Sequence, residues 1–174
     1  MKEVTLTRGY IALVDDEDYE RVMAAGSWYA YVQSERKEIY ARRMLPRNGK
    51  KGNQSSQSLH RFIVRAIDSK LRVDHKDHDG LNCQKNNLRI CTPAQNRQNS
   101  LKPKNARTSK YKGVSLISSP WKLTKPWLAQ IQCEGRSKNL GQYKTEAGAA
   151  KAYDAAARRL HGEFACINFP KEAQ

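Results

Sequence analysis

The chain has 174 residues, room for one generous domain or two small ones, and sets 32 Lys and Arg against 17 Asp and Glu for a formal charge of +15. That excess points to a polyanion, nucleic acid first, with a merely basic ribosome- or membrane-attracted protein as the plain alternative. Cys83, Cys91, Cys133 and Cys166 lie far apart with no C-x-x-C pair, which argues against a zinc knuckle or a disulfide framework, and no apolar run suits a signal peptide or membrane span.

Reduced core thiols in a cytoplasmic protein are therefore expected. Residues 1–58 (10 basic, 8 acidic) carry +2, residues 59–108 carry +7 and residues 109–174 carry +6, so the basic excess belongs to the last two segments. In the first, Asp15-Asp16 supply a helix N-cap ahead of Glu17 to Ala25, with Gly26 as the stop. The runs Trp28–Val32 and Ile39–Leu45 are rich in aromatic and β-branched residues and read as strands. Residues 46–58 are turn formers and read as an exposed loop in which Lys50 and Lys51 either touch phosphate or are simply solvated. Next, Leu59, Phe62, Ile63, Ala66 and Ile67 recur at the spacing of one helical face, a helix made for packing.

The segment from Arg72 to Asn99 concentrates polar residues in a way that a core does not explain. Val73 ends a strand, Asp79-Gly80 makes a turn, Leu88 to Cys91 returns as a second strand, and Thr92-Pro93 opens a helix with a cap and a proline at its first position. Residues 101–109, flanked by Ser100 and Lys110, are basic and poor in large apolar side chains, as a tether between modules would be. Beyond it, Tyr111–Leu116, Trp127–Cys133 and Lys138–Tyr143 read as three strands, the last two joined at Glu134-Gly135. Thr145 then caps a helix in which Ala147, Ala150, Tyr153, Ala157 and Leu160 share a stripe ending at Gly162.

The order Asp74-His75, then Asn87 twelve residues on and Asn96 nine further, set on strand, strand and helix, resembles the HNH nucleases of the ββα-metal fold, especially phage homing endonucleases. Phosphodiester hydrolysis needs a water made nucleophilic and charge neutralised at the phosphate and leaving oxygen. The resemblance implies His75 as general base, a role an imidazole of unperturbed pKa about 6.5 can fill. Asn87 would orient that imidazole, while Asp74 and Asn96 offer hard oxygen ligands to Mg²⁺ or Mn²⁺. The plain reading of the same residues is a solvated hairpin, with Asn87 holding the turn through backbone hydrogen bonds. His60 recurs in the resemblance and is read as packing or a supporting hydrogen bond. Asp77, His78 and Asp79 are out of register and are left as a looser second-ion group. Many HNH enzymes end the motif in His, so Asn96 weakens a zinc reading.

Tyr111-Lys112-Gly113-Val114, Trp127 to Ile131, Leu140-Gly141-Gln142-Tyr143, Ala152 to Ala156 and Ile167-Asn168-Phe169-Pro170 resemble the ethylene-response-factor (apetala-two type) DNA-binding domain. That family implies a three-stranded sheet read into the major groove with a helix behind it. By position the readers would be Lys112, Ser115, Gln130, Gln132, Lys138 and Asn139, since Gln suits adenine and Lys reaches guanine or phosphate. Lys122, Lys125 and Arg136 are phosphate contacts or a solvated face. Trp121 and Trp127 are read as core rather than stacking platforms.

The expectation is an α+β chain: a lead-in at 1–58, an HNH module at 59–100, a linker at 101–109 and a reading module at 110–170. It would be a monomeric, site-specific homing-type DNA endonuclease that nicks double-stranded DNA with one divalent ion, acting in the bacterial or phage-infected cytoplasm. The rivals are a DNA-binding regulator with an inactive nuclease module and a structured-RNA binder. The narrow A-form major groove counts against the latter.

Overall fold

The first ten residues, given no assignment from sequence, form one arm of a hairpin: β1 (Lys2–Thr5) pairs antiparallel with β2 (Ile11–Val14), Val4 opposite Ala12. The computed structural model describes residues 1–33, 38–46, 54–103, 108–119 and 121–170. Lys50, Lys51 and tether residues 104–107 lie outside the described residues. The fold is α+β, and the chain divides into two compact units, Met1–Pro93 and Ala94–Gln174. Among the described residues no helix is long and apolar enough to cross a membrane.

In the first unit, α1 (Asp16–Ala24) follows β2 directly. Asp15 stands at its N-cap position but makes no side-chain cap bond; its carboxylate instead accepts from the Lys85 backbone N–H at 2.8 Å and from Gln84 Nε2 at 3.2 Å. The capping role given to Asp15 is thus replaced by a long-range one. Strands β3 (Tyr29–Val32), β4 (Ile39–Met44) and β5 (Ser56–Ser58) make an antiparallel sheet in the order β3-β4-β5. Part of the expected loop 46–58 is therefore strand.

Helix α2 (Leu59–Ile63) is shorter than the apolar spacing implies. Arg65 takes a left-handed φ of 51°, and the Arg61 guanidinium donates to the carbonyls of Ala66, Asp68 and Leu71. Those bonds turn the chain away, and Ile67 ends 95% exposed. Strands β6 (Arg72–His75) and β7 (Leu88–Cys91) form the hairpin of the polar segment, with Asp74 opposite Arg89 and His75 opposite Leu88.

One core runs through the whole unit: Val4, Val14, Val22, Trp28, Leu59, Cys83 and Leu88 belong to one buried cluster. Each large member contributes roughly 1.5–3 kcal/mol by leaving water. The lead-in and the polar hairpin therefore share their stabilising interior. Backbone bonds confirm the union, since Leu13 N–H donates to Leu81 O and Cys83 N–H to Leu13 O.

In the second unit, α3 (Pro93–Asn99) starts on its proline, at the unit boundary. Strands β8 (Val114–Leu116), β9 (Trp127–Cys133) and β10 (Arg136–Tyr143) form an antiparallel sheet with β9 central. Ala129, Ile131 and Cys133 are buried while Gln130 and Gln132 are exposed, the alternation of a half-covered sheet. Helix α4 (Glu146–His161) covers the buried face with Ala149, Ala150, Tyr153, Ala156 and Ala157. Thr145 Oγ1 accepts from Gly148 N–H, as a cap should. Gly113 (φ +72°) is required, because a Cβ there would strike the Tyr153 ring and come within 2.7 Å of Gln130 O. Trp121 is 79% exposed, not core, whereas Trp127 is half-buried against the cluster. All four cysteines are free thiols and buried.

Candidate functional site

Asp74 and His75 end β6, a strand whose register is pinned by β7, and both are buried. The Asp74 carboxylate Oδ2 receives Arg89 Nε at 2.8 Å and Arg89 Nη2 at 2.7 Å. Arg89 was missed in the sequence, although the hairpin register that places it opposite Asp74 could have found it. A buried carboxylate is sustained only by such a partner or by an ion.

His75 packs its ring against those of His60 (centroids 5.0 Å, edge-on) and Tyr40 (5.9 Å). Tyr40 touches His60 as well and donates its hydroxyl to Glu38. Burial holds the His75 imidazole below its ordinary pKa, opposed by Asp77, Asp74, Asp79 and Glu38. The same cause, reinforced by His75, Arg61 and Arg42, pushes His60 down to about 3. Both rings are neutral near pH 7, and the half-buried His60 packs its ring against His75.

The Asn87 side-chain Oδ1 accepts from Asp77 N–H at 3.1 Å, and its Nδ2 donates to Asp77 Oδ1 at 2.9 Å and Asn82 O at 2.8 Å. Its amide hydrogens therefore go to the loop, in keeping with the loop-holding reading of Asn87. Asp77 also accepts from Asp79 N–H and Asn82 Nδ2, and Asp79 accepts from Leu81 N–H. These carboxylates build the turn, and among the described residues no three His, Cys, Asp or Glu side chains group as a metal cage. Gly80 lets this loop meet β4, since a Cβ there would lie 2.3 Å from Ile39 O.

Asn96 lies half-buried on α3, in the second unit. Asp74 in the first unit and Asn96 in the second each carry a hard oxygen donor, of a kind that suits Mg²⁺ or Mn²⁺ better than zinc, which favours nitrogen and sulfur.

The reading residues of the second unit divide by strand register. Ser115 faces Leu128, and Asn139 faces Gln130, so these stand on the outer face with Gln132 and Ser137. A shallow groove there, about 260 Å³, is lined by Ser115, Gln130, Gln132 and Ser137. Arg136 and Lys138 pair with the buried Cys133 and Ile131, which puts them on the helix side at the sheet edge. Lys122 is exposed on the loop between β8 and β9. Lys112 is half-buried, its ammonium bonded to the carbonyls of Gln98 and Ser100, so it is not displayed on the outer face. The expected reader set is thus split: Ser115, Gln130, Gln132 and Asn139 share a face, while Lys112 and Lys138 do not join it.

No family model and no solved structure matches the chain. A curated relative from Acanthamoeba polyphaga mimivirus, named an uncharacterized HNH endonuclease, is 36% identical over 115 residues, 63% of this chain. The chain spans 56% of that relative's length. This likeness supports the HNH part of the resemblance.

Proposed function

We propose that the chain is a divalent-metal-dependent HNH endonuclease that nicks double-stranded DNA at a site read mainly by its second unit, in the manner of a homing enzyme. The observation that carries the reading is the buried Asp74-His75 pair at the end of β6, backed by Arg89 and by the Asn87-Asp77 loop. A fold gains little stability from burying an aspartate and an imidazole side by side, so their placement speaks for chemistry.

Asp74 and Asn96 would hold a Mg²⁺ or Mn²⁺ ion, which when bound supplies Lewis-acid stabilisation of the phosphate and the leaving 3′ oxygen. His75, neutral through burial, can take the proton of an attacking water on a ring nitrogen and become the imidazolium. Its orientation comes from the rings of His60 and Tyr40 on one side and from the hairpin backbone on the other. Asn87 contributes indirectly by keeping the loop after His75 in one shape. Duplex DNA is the proposed partner, with Ser115, Gln130, Gln132 and Asn139 facing base edges on the apetala-two-like sheet. Lys122 and the edge residues Arg136 and Lys138 would meet phosphate. A single site per chain suits a monomer that cuts one strand at a time.

The test is relaxation of supercoiled plasmid carrying DNA from the protein's own host, with Mg²⁺, with Mn²⁺ and with EDTA, for the wild type and His75→Ala. Metal-dependent nicking lost in His75→Ala is the expected result. Tight duplex binding without cutting by the wild type would instead identify a DNA-binding regulator.

A further inference from the structure

Two lysines of the second unit cross over each other where α3 leads into the sheet. Lys112, just before β8, donates its ammonium to the carbonyls of Gln98 and Ser100, each at 2.5 Å. Lys102, just after α3, donates to the carbonyls of Tyr111 at 2.6 Å and Val114 at 2.9 Å. Each lysine thus fastens the segment from which the other springs. The last carbonyls of a helix lack intrahelical partners, and a cation is favoured there by the helix dipole.

The crossing is anchored deeper. The Lys112 backbone N–H donates to Asn168 Oδ1 at 2.7 Å, and Asn168 Nδ2 donates to Lys112 O. Asn168 is in turn held by the buried Asp154 of α4 at 2.8 and 2.9 Å. A continuous chain of bonds therefore runs from the core helix α4 through Asn168 and Lys112 to the end of α3, three residues beyond Asn96. An exposed phosphate- or base-reading lysine would have no reason to be desolvated on carbonyls. Burial lowers the pKa of both ammoniums, a cost compensated by four charge-assisted bonds.

We propose that Lys112, with Lys102, is a positioning residue: a crossed strut that fixes the end of α3, and with it Asn96, to the sheet and helix of the reading module. The end of α3 is then held within the reading module, so loosening the strut loosens the helix that carries Asn96. The functional half rests on the reading of Asn96 as a metal ligand; the strut itself does not.

The experiment compares full-length Lys112→Met, Lys112→Arg and Lys102→Met with a control at the exposed Lys144, Lys144→Met. Hydrogen exchange of the amides of residues 97–103, measured without DNA or metal, should quicken by about 10-fold in both methionine variants of the strut and stay unchanged in the control. In plasmid nicking, Lys112→Met should lower kcat by about 10-fold or more at unchanged DNA Kd, with recovery in Lys112→Arg. A base or phosphate reader predicts the opposite split: a weaker Kd, a salt slope smaller by about 1, and normal kcat at saturating DNA. That split, or unchanged exchange in both strut variants, overturns the proposal. Lys102→Met removes one arm without touching Lys112, so misfolding of a Lys112 variant does not decide the matter. A wild type that binds DNA but never cuts removes the nuclease reading, while the exchange measurement still judges the strut.

Discussion

The Asp74 carboxylate and the Arg89 guanidinium meet across β6 and β7, with Arg89 Nη2 2.7 Å from Asp74 Oδ2 and both side chains largely withdrawn from solvent. Arg89 offsets the cost of withdrawing the Asp74 carboxylate from water. The pair thus links the stability of the hairpin to the residue proposed to serve a cation.

Removing Arg89 alone should therefore be costly. Arg89→Met is expected to lower the stability of the metal-free protein by about 3 kcal/mol, the scale of a buried pair broken on one side. Asp74→Asn combined with Arg89→Met should recover much of that loss, because no buried charge is then left unpaired. Urea unfolding of the wild type and these two variants measures this, and equal losses in the single and double variants would show that the pair carries no such energy.

Asn87 separates a loop-building role from an orienting one. Asn87→Ala removes three hydrogen bonds to Asp77 and Asn82 and should cost about 1.5 kcal/mol, the net worth of such bonds when the partners left behind can turn to water. Thermal unfolding should show the loss with no DNA present, and nicking should fall in step with stability. Full stability accompanied by a shifted pH profile of nicking would mean that Asn87 acts on the imidazole after all.

Much of this was legible from the chain because local signals agreed. Thr145 and Gly162 bounded a helix, alternation in Trp127–Cys133 gave a half-covered strand, and Pro93 marked the start of α3. The polar hairpin stood out because Asp, His and Asn accumulated where a core would not place them. What escaped were relations between distant parts of the sequence. Asp15 has the look of a helix cap, yet it binds the backbone of Lys85, seventy residues away. The first hairpin escaped because β1 and β2 are only four residues each and pair across a 3-10 turn at Thr7–Gly9. Lys112 and Lys138 were grouped with Gln130 by the family resemblance, but one pairs with backbone and the other takes the opposite side of the sheet through strand register.

The low pKa of His60 gives a signed prediction for stability. In the folded chain burial pushes this imidazole down to about 3, whereas in the unfolded chain it titrates near 6.5, about the ordinary value. Below that the unfolded state binds a proton that the folded state refuses, so stability falls with falling pH, by up to about 1.4 kcal/mol per pH unit between about 6.5 and 3. His60→Phe, which keeps a ring beside His75 and Tyr40, should flatten the slope between pH 6 and 4 while the carboxylate contributions stay. Chemical denaturation across that range measures it; identical slopes would show that His60 is charged in the folded protein.

The split of the second unit's sheet into two faces predicts two kinds of DNA-binding defect. Gln130 and Asn139 lie opposite each other on the outer face, where side-chain amides can pair with base edges, so Gln130→Ala should weaken discrimination between preferred and altered sites by about 10-fold, the lower part of the range for a lost bidentate contact. Its salt dependence should stay unchanged, because no phosphate charge is given up. Lys138 pairs with Ile131 on the helix side, and Lys138→Ala should leave discrimination intact while reducing the slope of log K against log salt by about 1 if it meets phosphate, or by nothing if it is solvated. Both variants are compared by competition binding of duplexes at several salt concentrations. Loss of sequence preference in Lys138→Ala, with none in Gln130→Ala, would mean that DNA approaches the other side of the sheet and would remove the outer-face reading altogether.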